Sequence, residues 1–261
     1  MGGSILSISK GDEVSATAGK LETRGIGINF EGLVAVDNVD LVLNQREILG
    51  LIGPNGAGKT TMVNLITGAL KPSKGQVYID GQDVTAWTPD RKARNGVGRT
   101  FQNVRPFSDL SVFENIEVGA VGVGVGRKEA KKRAAELLRW MGMSEKAYWQ
   151  ASALPYGDER RLGILRALAT NPRFLLLDEP AAGLDESESD EVMEDIIEIR
   201  DRFGCGVMVI EHDMRLIMRL CDRIHVLDYG KTICVGTPQQ VQADEAVITA
   251  YLGTMEGWGD A

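Results

Sequence analysis

The sequence predicts an α/β protein: a largely parallel sheet covered by helices, one core interrupted by a helical lobe. Three observations predict it. From Arg173 onward, apolar strand-like runs alternate with helical stretches, the order that builds parallel sheets. Ahead of residue 102 the chain is rich in Val, Ile and Leu with turn residues between, the mark of strands. From about Asn103 to Leu168 strand signal gives way to helical periodicity.

In chain order, "MGGSILSISKGDEVSATAGK" (residues 1–20) carries no basic segment followed by a long apolar core, so it reads as a mobile tail and not a signal peptide. "GIGINFEGLVAVDNVDLVLNQREILGLIG" reads as several short strands, "TTMVNLITGAL" as a helix ending near Lys71-Pro72, and "GQVYIDGQDV" as a hairpin. Thr88 caps a short helix with Pro89 in its first turn. In the lobe, "SVFENIEVGA" and "RKEAKKRAAELLRWMG" are helical, the second with Ala130, Ala134, Leu137, Leu138 and Met141 as one apolar stripe. "GAVGVGVG" reads as a glycine-spaced linker; no βαβ unit surrounds it, so it is not a dinucleotide fingerprint. The alternation that follows runs strand "RFLLLDE", helix "SESDEVMEDIIEIRDRFG", strand "GVMVIE", helix "DMRLIMRLC", strand "RIHVLDYG". A short helical tail closes the chain.

Composition narrows the function classes. The 261 residues are 43% hydrophobic and 25% charged, ordinary for a globular protein. A net charge of −8 argues against nucleic acid as the main partner, since phosphate backbones select basic surfaces. Cys205, Cys221 and Cys234 are widely spaced among apolar residues, which suits buried thiols in a reducing compartment. No apolar run reaches the roughly 18 residues that span a bilayer.

"GPNGAGKT" (Gly53 to Thr60) fits GxxxxGK[ST] in full, directly after a predicted strand and opening a predicted helix. Gly56 and Gly58 let successive N–H groups point inward at phosphate oxygens, and the helix N-terminus adds partial positive charge. With Pro54, Asn55, Ala57 and Thr61 these residues form the candidate phosphate site. Lys59 is the neutraliser of the β- and γ-phosphates, and Thr60 offers a hydroxyl to Mg²⁺. In "FLLLDEP", Asp178 and Glu179 emerge at the carboxyl end of a buried strand, where open parallel sheets bind ligands. Asp178 is the candidate Mg²⁺ ligand and Glu179 the candidate acceptor of a proton from attacking water.

Together with "LPYGDERRLGILRALATNPRFLLLDEPAAGLD", these motifs resemble the nucleotide-binding subunit of ABC transporters, in the family's order, from about residue 21 to 253. The resemblance implies a P-loop NTPase core (21–102 and 169–237) with an N-terminal antiparallel β-subdomain. It also implies an inserted helical subdomain carrying the signature (103–168) and a C-terminal helical tail (238–261). Phe30 falls where an aromatic stacks on adenine, with Val36 nearby; Gln102 in "RTFQN" matches a glutamine that reaches Mg²⁺ and the water. His212 matches a histidine that contacts the γ-phosphate, and Asp185 lies in the loop that communicates across a dimer. His225, inside a predicted strand, reads as structural.

The family's usual signature is LSGGQ. Here Leu154 and Gly157 match, while Pro155, Tyr156 and Asp158 differ. Proline brings neither hydroxyl nor N–H, so one phosphate contact, worth about 1.5–3 kcal/mol, is missing. The N–H groups of Tyr156 and Gly157 and the helix N-terminus remain to face phosphate. The LPYG variant, "FEGLVAVDNVDL" and "AYLGTMEGW" resemble the branched-chain amino-acid uptake subfamily. Two departures stand beside that likeness: a compact lobe between Gln102 and the signature, and Gly163 and Leu165 where glutamate and alanine are usual.

What the resemblance implies is an ATPase that drives import, with ATP and Mg²⁺ as cofactors. Its partners are a second ATPase subunit, identical or related, two transmembrane permease subunits and, indirectly, an extracytoplasmic solute-binding protein. It sits in the cytoplasm, peripheral on the cytoplasmic face of the cell (inner) membrane. The rival readings are a nucleic-acid- or translation-associated ABC ATPase, and a poorly hydrolysing regulatory module.

Overall fold

The computed structural model describes residues 19–100 and 106–251, so Gln102 and nearly all of the expected tail lie outside it. The first strand already begins at Lys20, the last residue assigned to the tail.

β1 (Lys20–Phe30) and β2 (Leu33–Asn44) pair antiparallel, and with β4 (Lys74–Ile79) and β5 (Gln82–Asp83) form a four-stranded sheet in the order β2-β1-β4-β5. The several short strands expected here are instead two long ones. Gly25 and Asn38, both at φ 56°, and the register shifts beside them bend the pair without ending it. Glu31 and Gly32, at φ 47° and 101°, close the hairpin in a two-residue turn that needs left-handed backbone.

β3 (Ile48–Ile52) leads into α1 (Lys59–Thr67). This helix stops at Gly68, short of the expected Lys71-Pro72, because Gly68 turns left-handed (φ 79°) and returns its N–H to Leu65. α2 (Pro89–Arg94) follows Thr88, whose hydroxyl makes no cap bond. Its buried Lys92 donates to the Ile66 carbonyl at 2.7 Å in the last turn of α1.

After β6 (Val97–Arg99) come the lobe helices α3 (Val112–Gly122), α4 (Arg127–Trp140) and α5 (Tyr156–Leu168). A Ser111–Glu114 capping box starts α3. The helix absorbs half of the glycine-rich stretch expected as linker. A Cβ on Gly119 would stand 2.4 Å from the Arg166 carbonyl, so this glycine serves close packing of α3 on α5. The α4 stripe of Ala130, Ala134, Leu137, Leu138 and Met141 is buried, as its spacing predicts.

The chain then alternates: β7 (Phe174–Asp178), α6 (Glu186–Phe203), β8 (Gly206–Ile210), α7 (Met214–Leu220), β9 (Arg223–Asp228), β10 (Lys231–Gly236), α8 (Pro238–Gln242) and α9 (Glu245–Tyr251). The six-stranded sheet runs β10-β9-β3-β8-β7-β6, parallel throughout except for β10 on β9. β3, β7 and β8 are buried at every position, each Leu, Ile or Val contributing on the order of 2 kcal/mol. Apolar side chains on both faces explain why these strands read as continuous runs. The carboxyl ends of β3, β7, β8 and β9 therefore lie along one edge, and each opens into a loop rich in polar residues.

Candidate functional site

Three neighbouring loops build the site. The β3–α1 loop, Gly53 to Gly58, has glycines with φ of 152°, 82° and 102°. A Cβ on Gly53 would lie 2.0 Å from the Leu227 carbonyl, and one on Gly58 2.6 Å from the Ala35 carbonyl, so strands β9 and β2 leave no room for side chains there. Gly56 faces open space and needs glycine only for its backbone. The β9–β10 turn ties this together: Gly230 donates to Ala57 at 3.0 Å and accepts from Asp37 at 2.8 Å.

Lys59 curls over its own loop, donating to the carbonyls of Gly53 (2.6 Å) and Pro54 (3.0 Å). Burial pushes its ammonium below the usual range, while Glu179 and Asp178 pull it up. These opposed carboxylates show that the ends of β3 and β7 share one electrostatic site. Thr60, in the first turn of α1 with Thr61, lines with Asp178 a groove of about 880 Å³ that runs between the core and the α3–α5 lobe. Asp178 is buried and paired with Arg99 at 3.2 Å. Burial raises its carboxyl above the usual range, and Arg99 draws it part of the way back.

Glu179 takes a left-handed φ of 49°, strained for a residue with a Cβ, and its N–H donates to the Ile210 carbonyl at 2.9 Å. On the neighbouring strand, His212 stands with its ring largely in solvent, 3.8 Å from the buried Glu211 carboxylate. Phe30, at the β1–β2 hairpin tip, is 43% exposed, and Leu33 and Val34 beside it are exposed too. Val36 is fully buried and backs Gly58. Lys59, Thr60, Asp178 and Glu179 thus come together at the sheet edge, with His212 on the adjoining strand end.

The model of the ABC transporter family matches residues 36–182, more than half of the chain. The chain belongs to the ABC transporter family.

A second model, described as a branched-chain amino acid ATP-binding cassette transporter, matches residues 231–256 of this cassette. The cassette is 44% identical over 248 residues to the high-affinity branched-chain amino acid transport ATP-binding protein LivG of Escherichia coli K12, covering 89% of this chain and 97% of the relative. Its fold matches the ADP conformation of MJ1267, an ATP-binding cassette of an ABC transporter, with TM-score 0.83, 29% identity, and coverage of 91% of this chain and 100% of that one. The dimeric structure of MJ0796, a bacterial ABC transporter cassette, matches with TM-score 0.75 and 28% identity over 84% of this chain and 98% of that chain. The protein is an ATP-binding, ATP-hydrolysing cassette with the P-loop NTPase α/β fold.

The signature residues of the cassette are not part of the phosphate-loop cluster. Pro155 is the N-cap of α5 and makes no side-chain cap bond. Pro155 and Gly157 line a separate cleft with Leu184, Glu188 and Val192. Tyr156, half exposed, donates to the Ala182 carbonyl. Asp185 caps α6, its carboxylate taking the Glu188 N–H at 2.8 Å. His225 is fully buried, bonded to Thr232 at 2.8 Å, with burial lowering it to about 4.

Sequence reasoning missed three residues. Glu211 joins the His212 strand end to the turn after Glu179, accepting from the N–H groups of Ala181 and His212. Burial pushes its carboxyl up, and these N–H groups hold it down. An acid ending an apolar strand just before a histidine was the available signal. Arg99 holds Asp178, and Tyr251 of α9 has its buried hydroxyl at the Gly53 backbone. Neither left a local pattern in sequence.

Proposed function

We propose that this cassette powers an importer of branched-chain amino acids or related small solutes. The observation that carries the substrate class is the match of the branched-chain model to residues 231–256. That stretch includes α9, whose Tyr251 reaches back to the phosphate loop.

In this reading the phosphates of ATP lie on the Gly53–Thr61 stretch, Lys59 exchanging its two carbonyls for phosphate oxygens. Phe30 stacks on adenine, an apolar platform on a hairpin tip, with Val36 behind it. A hydroxyl at Thr60 and a carboxylate at Asp178 along one groove are the hard oxygen donors Mg²⁺ prefers, alongside phosphates and Gln102. Bound Mg²⁺ supplies charge neutralisation at the transferring phosphate. Glu179 takes the proton of the attacking water, and His212 holds the γ-phosphate side of the site.

The signature residues Pro155, Tyr156 and Gly157, apart from the phosphate loop in one chain, meet the nucleotide of a second cassette, as does the loop around Asp185. Residues 21–102 and 169–237 form the ATPase core, 103–168 the helical subdomain and 238–261 the helical tail. Two permease subunits dock over the groove between core and lobe, where Phe107 lies exposed. No described helix is long and apolar enough to cross a membrane. In this reading the cassette acts from the cytoplasmic face through those partners. A solute-binding protein on the far side delivers the substrate.

The test is uptake of labelled leucine, isoleucine and valine by cells whose only copy carries Glu179→Gln. Uptake should fall to background. Normal branched-chain uptake with loss of another solute's transport overturns the substrate assignment.

A further inference from the structure

Tyr156 opens α5 where the family signature usually holds glycine, and its side chain is committed to a contact inside its own chain. The phenol donates to the Ala182 carbonyl at 3.0 Å. Arg160, one turn on and only 7% exposed, donates to the phenol oxygen at 2.6 Å and to the same carbonyl at 3.3 Å. Its guanidinium also lies 5.1 Å from the centre of the Tyr156 ring. The turn beyond is shaped to accept the ring: Gly183 sits at φ 79°, and a Cβ there would come 3.2 Å from the ring edge.

A second contact lies one residue along. A Cβ on Gly157 would meet the Glu188 carboxylate at 3.1 Å, and Glu188 is itself locked to Asp185 by the capping box. The start of α5 is therefore joined to the Ala181–Asp185 turn by the Tyr156 and Arg160 bonds to Ala182, while the missing side chain of Gly157 lets Glu188, in the first turn of α6, approach closely. Pro155 adds no side-chain bond at the start of α5; only its carbonyl takes part, accepting the Glu159 N–H at 2.9 Å.

We propose that Tyr156 and Arg160 are positioning residues that lock the signature turn to the Ala181–Asp185 turn. The two stretches with which one cassette meets the other's nucleotide then move as one piece. This rests on the paired-cassette reading above. The lock stands in for the missing serine: it makes no phosphate contact, but it removes the conformational freedom that closure would otherwise have to quench.

The test uses the full chain carrying Tyr156→Phe, which keeps the ring against Gly183 and removes only the hydroxyl. Hydrogen exchange on the nucleotide-free protein should speed up about tenfold at residues 156–159 and 181–185, the scale of one lost charge-assisted bond, and stay unchanged at the phosphate loop. Specific ATPase activity plotted against protein concentration should reach half its maximum at about tenfold higher concentration. Arg160→Lys, which keeps charge but loses the planar fork, should behave alike. Unchanged exchange in both stretches overturns the lock. Faster exchange with an unshifted activity curve overturns its role in pairing. A wild-type chain that turns over ATP as a monomer at every concentration overturns the paired reading itself, and the exchange result tells that failure apart from the others.

Discussion

The Glu211 carboxylate holds the Ala181 N–H at 2.9 Å, tying the end of β8 to the turn that follows Glu179, just past β7. Its second oxygen accepts the His212 N–H at 3.3 Å. One buried acid thus sets the spacing between the two residues proposed to flank the γ-phosphate.

Glu211→Gln keeps the shape but presents an amide to one of the two N–H groups. An unsatisfied buried N–H costs about 1–3 kcal/mol, so turnover should fall about tenfold. ATP affinity, set by the phosphate loop, should stay within about twofold. Steady-state turnover beside a nucleotide titration checks this; an equal fall in affinity would sink it.

Lys92 is a stability element, not a catalytic one. Its Nζ satisfies the Ile66 carbonyl at the end of α1, and burial lowers it to about 8. Lys92→Met leaves that carbonyl unpaired and should lower unfolding free energy by about 1–3 kcal/mol in urea titrations. A neutral effect would mean that α1 does not depend on this cap.

His225 makes stability depend on pH. Burial lowers its folded value to about 4 from an ordinary 6.5. The unfolded chain therefore binds a proton that the folded chain refuses between those values, so stability falls as pH drops from 6.5 towards 4. The loss from this group should be roughly 2 kcal/mol at pH 5. His225→Gln, which keeps a partner for Thr232 without titrating, should flatten the stability difference between pH 7 and pH 5 by that amount. Equal slopes in both proteins would remove His225 from the account.

Two glycines of one loop should respond differently. Gly53→Ala puts a Cβ 2.0 Å from the Leu227 carbonyl, a clash with backbone that cannot yield cheaply. Gly56→Ala meets open space and carries only the left-handed penalty of about 1–2 kcal/mol. Thermal unfolding should show the first variant far less stable than the second, and comparable melting temperatures would count against the packing argument.

Much of this protein was legible in its residues. "GPNGAGKT", "FLLLDEP" and the alternation after Arg173 are local signals: glycine conformations, apolar periodicity and strand-end acids depend on neighbours in sequence. They determined the parallel sheet, the phosphate loop and the candidate roles of Lys59, Thr60, Asp178 and Glu179. Only the tertiary structure decided which distant residues hold that chemistry in place. Arg99 on Asp178, Glu211 on Ala181, Tyr251 at Gly53 and Tyr156 on Ala182 are contacts between separate elements. Gly119, read as linker, became a packing residue because α5 passes against it. Such partners are chosen by the stacking of strands and helices, and one chain's periodicity carries no record of which elements will touch.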